Sequence, residues 1–465
     1  MAEVYDVAVV GGGPGGYVAA IRAAQLGLRV ALVEQDKLGG LCLNWGCIPS
    51  KALLRNAEVV SLFNRAGEFG ITVNGFTADM GAAVDRSRKV AERLVRGVES
   101  LMRKNKITVH HGRATLKDAT TVEVAGEQAA TIRAKNIIIA TGGKDRAVPS
   151  LPVDGETVIT SRHALLLRAA PKNLVIVGAG AVGMEFSSYF SAYGSKVTVV
   201  EMLPRILPQE EEEVTQVLHR ALEKNGVTIL TGARVEGVTK DGDGQATVRV
   251  TRGLEAQEIP ADKVLVAVGF VPNTQDLGLE KLGVQTQERT GFIVIDDQMR
   301  TNVPNVYAIG DVTGKLLLAH VAEAMGVAAA EAIAGKKPHK VVYENMPRAV
   351  YSSPQVASIG ITESTAKERG YNVKVGKFPF RANGKALGLA DYEGHIKIVS
   401  DERTGAILGA QMVGPEVSEL LGEFSVGMAL EATPLELGRS VHPHPSLSEV
   451  LMEAALAAGD EAIHI

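Results

Sequence analysis

Cys42 and Cys47 are the only cysteines in a chain of 465 residues. Their type and spacing suit redox chemistry better than stapling. A bridge between them closes a tiny loop, worth only ~2 kcal/mol in a chain-entropy account. A chain of this length buries enough surface to do without it. A reducing cytosol also disfavours structural disulfides. The pair therefore reads as a dithiol that is reversibly oxidised to a disulfide. The thiolate is the reactive form in such an exchange, so a base is needed to take the proton from the attacking thiol.

The elements that must position this pair show as an internal repeat. Val7-Ala8-Val9-Val10 runs into Gly11-Gly12-Gly13-Pro14-Gly15-Gly16, then a helical stretch, then Val30-Ala31-Leu32-Val33-Glu34. Leu174-Val175-Ile176-Val177 runs into Gly178-Ala179-Gly180-Ala181-Val182-Gly183 and on to Val197-Thr198-Val199-Val200-Glu201. Gly178 follows Gly11 by 167 positions, and Glu201 follows Glu34 by the same 167. A G-x-G-x-x-G run alone is weak. Here each copy follows a strand, opens a helix and has an acidic residue about 20 positions on, which is the context of a dinucleotide site. The first glycine makes the turn, the second admits a pyrophosphate, and the third packs helix on strand. The helix N-terminus faces the phosphates and the carboxylate takes ribose hydroxyls.

Ile137-Ile138-Ile139-Ala140-Thr141-Gly142-Gly143 and Val264-Leu265-Val266-Ala267-Val268-Gly269 extend the repeat as apolar strands that stop at glycine. Gly142 lies 108 positions after Glu34, but Gly269 lies only 68 after Glu201. The first copy thus carries roughly 40 extra residues, and both cysteines stand at the start of that surplus. A dithiol exchanges electrons readily with a flavin, so the first copy is the expected flavin domain. A third region begins near Asn345 and has no glycine fingerprint; it ends in His442-Pro443-His444-Pro445-Ser446-Leu447-Ser448-Glu449 and a helix. The run Glu210 to Glu213 follows Pro208 and is expected to open a helix, where the dipole favours acids.

Composition narrows the class. Charged residues are 22% and the net charge is −4, so no basic footprint points to nucleic acid or an anionic membrane. Met1 to Tyr5 lead directly into a strand pattern with no signal-peptide layout. The apolar stretch Leu316 to Gly335 contains His320, Glu323 and Glu331 and reads as a buried helix, not a membrane span. The expectation is a cytoplasmic enzyme with no metal site. His110, His111 and His442 are expected to be structural, the first two at the surface.

Gly39-Gly40-Leu41-Cys42-Leu43-Asn44-Trp45-Gly46-Cys47-Ile48-Pro49-Ser50-Lys51 resembles the active-site disulfide segment of the flavin disulfide reductases. The resemblance spans essentially the whole chain, with the flavin fingerprint, disulfide segment, pyridine-nucleotide fingerprint, Thr301 to Asp311 and the terminal His-Pro motif in the family order. Within that family the ending His444 to Leu456 and Leu318-Ala319-His320 with Ala322-Glu323 are most similar to the dihydrolipoamide dehydrogenases. Mercuric reductases carry a further cysteine pair near the C-terminus, which this chain lacks. Leu41 and Ser446 stand where the family usually has Thr, and Phe270 where it usually has Arg.

The resemblance implies an α/β fold: two Rossmann-like domains for FAD and NAD, plus a C-terminal α+β dimerisation domain. The implied bounds are 1–150 for the FAD domain with its redox disulfide, 151–275 for the NAD domain, 276–345 for a segment completing the FAD domain, and 346–465 for the interface domain. Cys42 is implied to be the outer sulfur, facing substrate, and Cys47 the inner one, facing the flavin. His444 is the implied base, since imidazole titrates near neutral pH, and Glu449 orients it. Lys51 is implied to lie by the flavin and to pair with Glu185. Asp311, Ala114, Thr141, Gly142, Gly143, Leu317, Leu318, Ala319 and His320 are implied to line FAD beside Gly11, Gly13, Gly16 and Glu34. Val235 and Gly269 are implied to line NAD beside Gly178, Gly180, Gly183 and Glu201, and Glu201 favours NAD because a carboxylate there repels the 2′-phosphate of NADP.

The implied reaction is oxidation of protein-bound dihydrolipoyl groups with reduction of NAD+. The implied assembly is a homodimer in which His444 serves the partner subunit's disulfide. The implied partners are the lipoyl-bearing acyltransferase of a 2-oxoacid dehydrogenase complex or the lipoyl carrier of glycine cleavage. Two other readings stay open: a glutathione-reductase-like enzyme and a non-catalytic flavin-binding scaffold. The set Cys42, Cys47, His444 and Glu449 speaks against the scaffold, which needs none of them.

Overall fold

β1 (Val4–Val10), β2 (Val30–Glu34), β3 (Thr108–His111), β4 (Arg113–Asp118), β5 (Thr121–Ala125) and β6 (Ala130–Ile139) form one sheet in the order β3-β2-β1-β6-β5-β4. The strand Val306–Ala308 pairs with β6 as a seventh member. This is a computed structural model, and it describes residues 4–127, 129–240 and 245–464. β1 lies parallel to both β2 and β6, with Val9 opposite Leu32 on one side and Ile138 on the other. Strand order therefore reverses at β1, and a crevice opens beyond its C-terminal end, where ligands bind in such sheets. β2 is buried along its whole length, which explains its unbroken apolar run.

The helix α1 (Pro14–Gln25) follows β1, with Pro14 at its first turn. Between β2 and β3 the first repeat carries three α-helices, α2 (Gly40–Trp45), α3 (Cys47–Asn64) and α4 (Met80–Lys104), where the second has one, Glu212–Lys224. Gly39 adopts φ 90° at the start of α2, and a Cβ there would strike the Leu43 side chain at 2.6 Å. Gly46 breaks α2 from α3, so the two cysteines flank one interruption: Cys42 within α2 and Cys47 as the first residue of α3.

The chain divides into two units, one of Met1–Ala52, Ala82–Arg146 and Gly269–Tyr343, the other of Leu53–Gly81, Ala147–Val268 and Glu344–Ile465. In the second unit the strands Thr228–Thr231, Lys196–Glu201, Asn173–Val177, Lys263–Val266 and Val158–Ile159 form a parallel sheet in that order. Three antiparallel strands follow, Arg234–Lys240, Ala246–Arg252 and Glu255–Ala261. A second, antiparallel sheet runs Arg348–Val350, Gln355–Gly360, Ile407–Gly414, His395–Asp401, Val373–Pro379. Its core holds Phe378, Phe380, Phe424, Ile396, Ile398 and Leu451. The helix Glu449–Ala458 lies close against this sheet: a Cβ on Gly376 would sit 2.0 Å from the Ala454 carbonyl oxygen.

The acidic run does open a helix, Glu212–Lys224, with Glu211 at its N-cap. It also does more than face the dipole. Glu211 and Glu213 pair with the buried Lys397, which Glu363 meets at 2.6 Å. Among the described residues no helix is long and apolar enough to cross a membrane.

Candidate active site

The two glycine turns are built alike. In the first, Gly11 adopts φ 108°, and a Cβ there would fall 2.3 Å from the Ala140 carbonyl oxygen. A Cβ on Gly16 would fall 1.9 Å from the Gly11 oxygen. In the second, Gly178 adopts φ 103° with its would-be Cβ 2.5 Å from the Ala267 oxygen, and Gly183 would meet the Gly178 oxygen at 2.0 Å. The chain's own packing thus demands the first and third glycines. It does not demand the middle ones: a Cβ on Gly13 would meet only Gly40 Cα at 4.0 Å, and one on Gly180 nothing within 4 Å. Bare backbone facing open space at a helix N-terminus fits a pyrophosphate.

The acidic residues match too. Glu34 Oε2 accepts the Gly12 N–H at 2.7 Å and Oε1 the Asp36 N–H at 2.8 Å. Glu201 Oε2 accepts the Ala179 N–H at 2.7 Å and Oε1 the Leu203 N–H at 2.8 Å. Each carboxylate closes its own turn and keeps lone pairs for a ligand. Burial raises the Glu34 carboxyl above its usual value, against the pull of those amides.

The other residues expected around the first cofactor gather in the first unit. Thr141 Oγ1 donates to the Asn273 carbonyl at 2.7 Å, and Asn273 Nδ2 donates back to the Thr141 carbonyl at 3.0 Å. The segment Phe270–Pro272 pairs with Gly143–Asp145, so Phe270 is placed by strand pairing opposite Asp145. A Cβ on Gly143 would lie 3.7 Å from Asp311 Cβ. Removal from water pushes the Asp311 carboxyl up to about 6. Among the described residues no hydrogen bond reaches that carboxyl, a poor arrangement unless a ligand supplies one. Leu317 is exposed, and Leu318 caps the helix Ala319–Ile333 without a side-chain hydrogen bond, which leaves its first N–H groups available. Ala114 is buried in β4. These residues fit a flavin dinucleotide. In the second unit Val235 is buried and Glu185, on the helix Ala181–Ala192, accepts the Tyr351 N–H at 3.1 Å, whereas Gly269, with φ 95°, follows the strand Lys263–Val266 and falls in the first unit.

Gly13 and Gly16 predict different failures. Gly16→Ala should unfold the turn, at a cost of about 1–3 kcal/mol from overpacking. Gly13→Ala should leave the apoprotein's thermal unfolding unchanged yet strip the flavin. A Gly13→Ala protein with a full complement of flavin would remove the pyrophosphate from this turn.

Cys42 and Cys47 are partly buried thiols that share a hydrogen bond. The Cys47 sulfur, then burial, push the Cys42 thiol well above its ordinary value; Glu323 adds to this and Lys51 opposes it. Cys47 starts an 18-residue helix, where the dipole favours a negative sulfur. Two neighbours of the pair escape sequence reading. Glu323, on the helix Ala319–Ile333, raises the Cys42 thiol, and Tyr17 of α1 is itself pushed up to about 12, first by burial and then by Glu323 and Cys42. They are 306 positions apart, and no local pattern links them.

The second unit holds the other half of the expected chemistry. His444 Nδ1 lies 2.8 Å from Glu449 Oε1, and Glu449 Oε2 accepts the Ser446 N–H at 2.8 Å. Burial would raise the Glu449 carboxyl, but the Ser446 amide and His444 outweigh it and hold it below its usual value. The loop is pinned by Asn383 Nδ2, which donates to the Ser446 carbonyl at 2.9 Å, and His444–Pro445 is a cis peptide. The His444 side chain is 80% exposed, so Nε2 faces outward while the carboxylate fixes Nδ1–H. That is the arrangement of a base. His442, by contrast, has both nitrogens engaged, at 2.8 Å to the Ser440 carbonyl and 2.9 Å to Glu423. His110 departs from its expected surface position. It lies opposite Val33 in the β2–β3 pairing, its Nε2 is buried without a partner, and burial lowers its pKa. Among the described residues no three His, Cys, Asp or Glu side chains gather as a metal site.

Two dinucleotide turns, a dithiol and a carboxylate-held imidazole define an oxidoreductase that moves electrons between thiols and nucleotides. Comparison with known proteins makes that specific. Residues 5–326 match the family model described as pyridine nucleotide-disulphide oxidoreductase, and residues 346–455 match that family's dimerisation domain. The chain belongs to the pyridine nucleotide-disulphide oxidoreductases. It is 51% identical to the dihydrolipoyl dehydrogenase of Mycobacterium tuberculosis over 97% of both chains, and 46% identical to that of Zymomonas mobilis over 100% of both. Among solved structures, LpdA from Mycobacterium tuberculosis superposes with a TM-score of 0.91 at 29% identity, covering 97% of this chain and 98% of that one. The flavoprotein disulfide reductase RclA from Escherichia coli does so with a TM-score of 0.85 at 28% identity, covering 96% and 98%.

Proposed function

We propose that the chain has dihydrolipoyl dehydrogenase activity, oxidising protein-bound dihydrolipoyl groups to lipoyl and reducing NAD+ to NADH. FAD and NAD are its cofactors. The observation that carries the reading is that one chain holds both an outward-facing His444 tied to Glu449, in the second unit, and a Cys42–Cys47 dithiol, in the first. The relatives' activity supports the choice of substrate.

The residues divide the work. A substrate thiol gives its proton to His444 Nε2, and Glu449 stabilises the resulting cation. The substrate thiolate attacks the Cys42 sulfur of the oxidised pair; a substrate–Cys42 bond forms, the Cys42–Cys47 bond breaks, and Cys47 leaves as thiolate. The second substrate thiol gives its proton to the departing Cys42 sulfur as its own sulfur attacks the first; the substrate disulfide closes and the substrate–Cys42 bond breaks. Two electrons have then passed to the pair. FAD, when bound, carries them on to NAD+. Lys51, four positions after Cys47, supplies positive charge for an electron-rich reduced ring. Gly11, Gly13, Gly16, Glu34 and Asp311 hold FAD, while Gly178, Gly180, Gly183, Glu201 and Gly269 hold NAD.

In this reading residues 1–150 and 276–345 are the flavin domain, 151–275 the NAD domain and 346–465 the interface of a homodimer. The dimerisation domain supports the last assignment. The partner is a lipoyl arm, on the acyltransferase of a 2-oxoacid dehydrogenase complex or on the glycine-cleavage carrier, and the place is the cytoplasm.

The rival is a glutathione-type reductase. Repulsion of a 2′-phosphate by Glu201 in a partly solvated site is worth ~2 kcal/mol or more, a factor of roughly 30. Turnover of dihydrolipoamide with NAD is therefore expected to exceed that with NADP at least by this factor in kcat/KM. A preference for NADP, with glutathione disulfide as the better sulfur substrate, would favour the rival.

A further inference from the structure

The two glycine turns share a second support. In each, the residue between the first two glycines has both of its peptide groups tied. Glu34 accepts the Gly12 N–H, and Glu201 the Ala179 N–H. The carbonyls are held as well. Gly39 N–H donates to the Gly12 oxygen at 2.8 Å, and Leu207 N–H to the Ala179 oxygen at 2.9 Å. A trans peptide is planar, with its C=O and N–H on opposite sides. Fixing the Ala179 carbonyl therefore aims the Gly180 N–H the other way. Gly180 is also the residue on which a Cβ would meet nothing within 4 Å.

The two clamps differ in strain. Both donors adopt left-handed backbone, Gly39 at φ 90° and Leu207 at φ 42°. Glycine does so freely. Leucine does not, because its Cβ crowds the following carbonyl. Pro208 comes next and restricts Leu207 further. A strained residue persists only where its surroundings hold it. Burial of Ile206 and Leu207 supplies part of the hold. Glu210 supplies the rest. Its N–H donates to the Leu207 carbonyl at 2.9 Å and closes a turn over Leu207 to Glu210. Its carboxylate is buried and anchored twice on the antiparallel sheet. Arg348 Nε donates to it at 3.0 Å, and Ser358 Oγ at 2.5 Å. A buried carboxylate is stable only with such partners, so the sheet fixes Glu210 and Glu210 fixes the turn.

We infer that Glu210 is a positioning residue for NAD: anchored by Arg348 and Ser358, it holds Leu207 in left-handed backbone, and Leu207 in turn aims the Gly180 amide at the pyrophosphate. The inference rests on the reading that Gly178, Gly180 and Gly183 hold NAD. Glu210 acts through Leu207 and does not itself touch the nucleotide. The antiparallel sheet, which carries no glycine fingerprint, thereby takes part in setting NAD affinity. The first turn needs no such anchor, since Gly39 takes its conformation unaided. Flavin binding is accordingly independent of Glu210.

The test measures binding apart from turnover. NAD+ is titrated calorimetrically into oxidised, flavin-loaded enzyme to give Kd, and thermal unfolding and flavin content are recorded beside it. Glu210→Ala is expected to raise Kd about three- to tenfold, the worth of one backbone hydrogen bond. Flavin content should stay at the parent level. In turnover, KM for NAD+ should rise while KM for dihydrolipoamide holds. Arg348→Gln should raise Kd in the same direction. In a Leu207→Gly background, Glu210→Ala should change Kd clearly less, because glycine takes the conformation without help; an equal change in both backgrounds overturns the inference. A role confined to docking the sheet would lower the unfolding temperature and leave Kd where it was, and that result also overturns it. Should Glu210→Ala fail to fold, an unchanged Kd in Arg348→Gln does so instead. Gly180→Ala separates the two levels. If it leaves Kd unchanged, the second turn is not the NAD site, and that reading falls together with the inference.

Discussion

Heterodimers formed from His444→Gln and Cys42→Ser chains are expected to recover up to about half the parent activity, although each parent variant is nearly inactive alone. A positioned base typically contributes 10²–10⁴-fold, so His444→Gln should lose about that much with flavin still bound. Cys42→Ser removes the sulfur that substrate attacks. The expectation of recovery follows from where the parts lie. His444 and Glu449 belong to a segment that matches a dimerisation domain, and Cys42 lies 402 positions earlier, after the first glycine turn. If one chain's imidazole serves the partner's dithiol, a mixed dimer contains one site with both parts intact and one with neither. Activity of separated and verified heterodimers is the measurement. Heterodimers as inactive as their parents would assign His444 to its own chain's dithiol and end the shared-site model.

The second large effect distinguishes the two sulfurs. Both Cys42→Ser and Cys47→Ser should abolish turnover with dihydrolipoamide, because either change removes the disulfide that accepts the electrons. Their colours should differ. With Cys42→Ser, the remaining Cys47, helped by the N-terminus of α3, stays as a thiolate against oxidised flavin and should give a long-wavelength absorption band. With Cys47→Ser the band should be absent, since Cys42 is held toward its neutral form by burial and Glu323. Bands of equal strength in the two proteins would refute the assignment of inner and outer sulfur.

What the sequence made legible was local. Buried strands that end in glycine, helices that start there and an acid at the next strand end are all nearest-neighbour patterns, and each appears where expected. The 40-residue surplus was visible as a length difference; that Gly46 would split it into two helices with one cysteine on each was not. Gly46 needs no positive φ there and gives no distinctive signal. His444 and Glu449 are five positions apart, so their contact follows from a single turn. Gly15 and Gly326 let α1 and the helix Ala319–Ile333, some 300 positions apart, touch at their backbones, and such a meeting depends on tertiary packing. His110 misled for a related reason: a histidine in a short strand looks exposed until its neighbour in the sheet is known. The Lys397 cluster with Glu211, Glu213 and Glu363 was likewise hidden in what read as a helix start.

The two glycine turns, alike down to the amides that Glu34 and Glu201 accept, have a consequence for how such a protein came to hold two different ligands. A turn repeated without change recognises what the ligands share, a pyrophosphate and a ribose, and is blind to what distinguishes them. Discrimination between an isoalloxazine and a nicotinamide ring must be inherited from the surroundings, chiefly from the helical insertion that only the first copy possesses. Preference for one ring or the other therefore resides outside the shared turn.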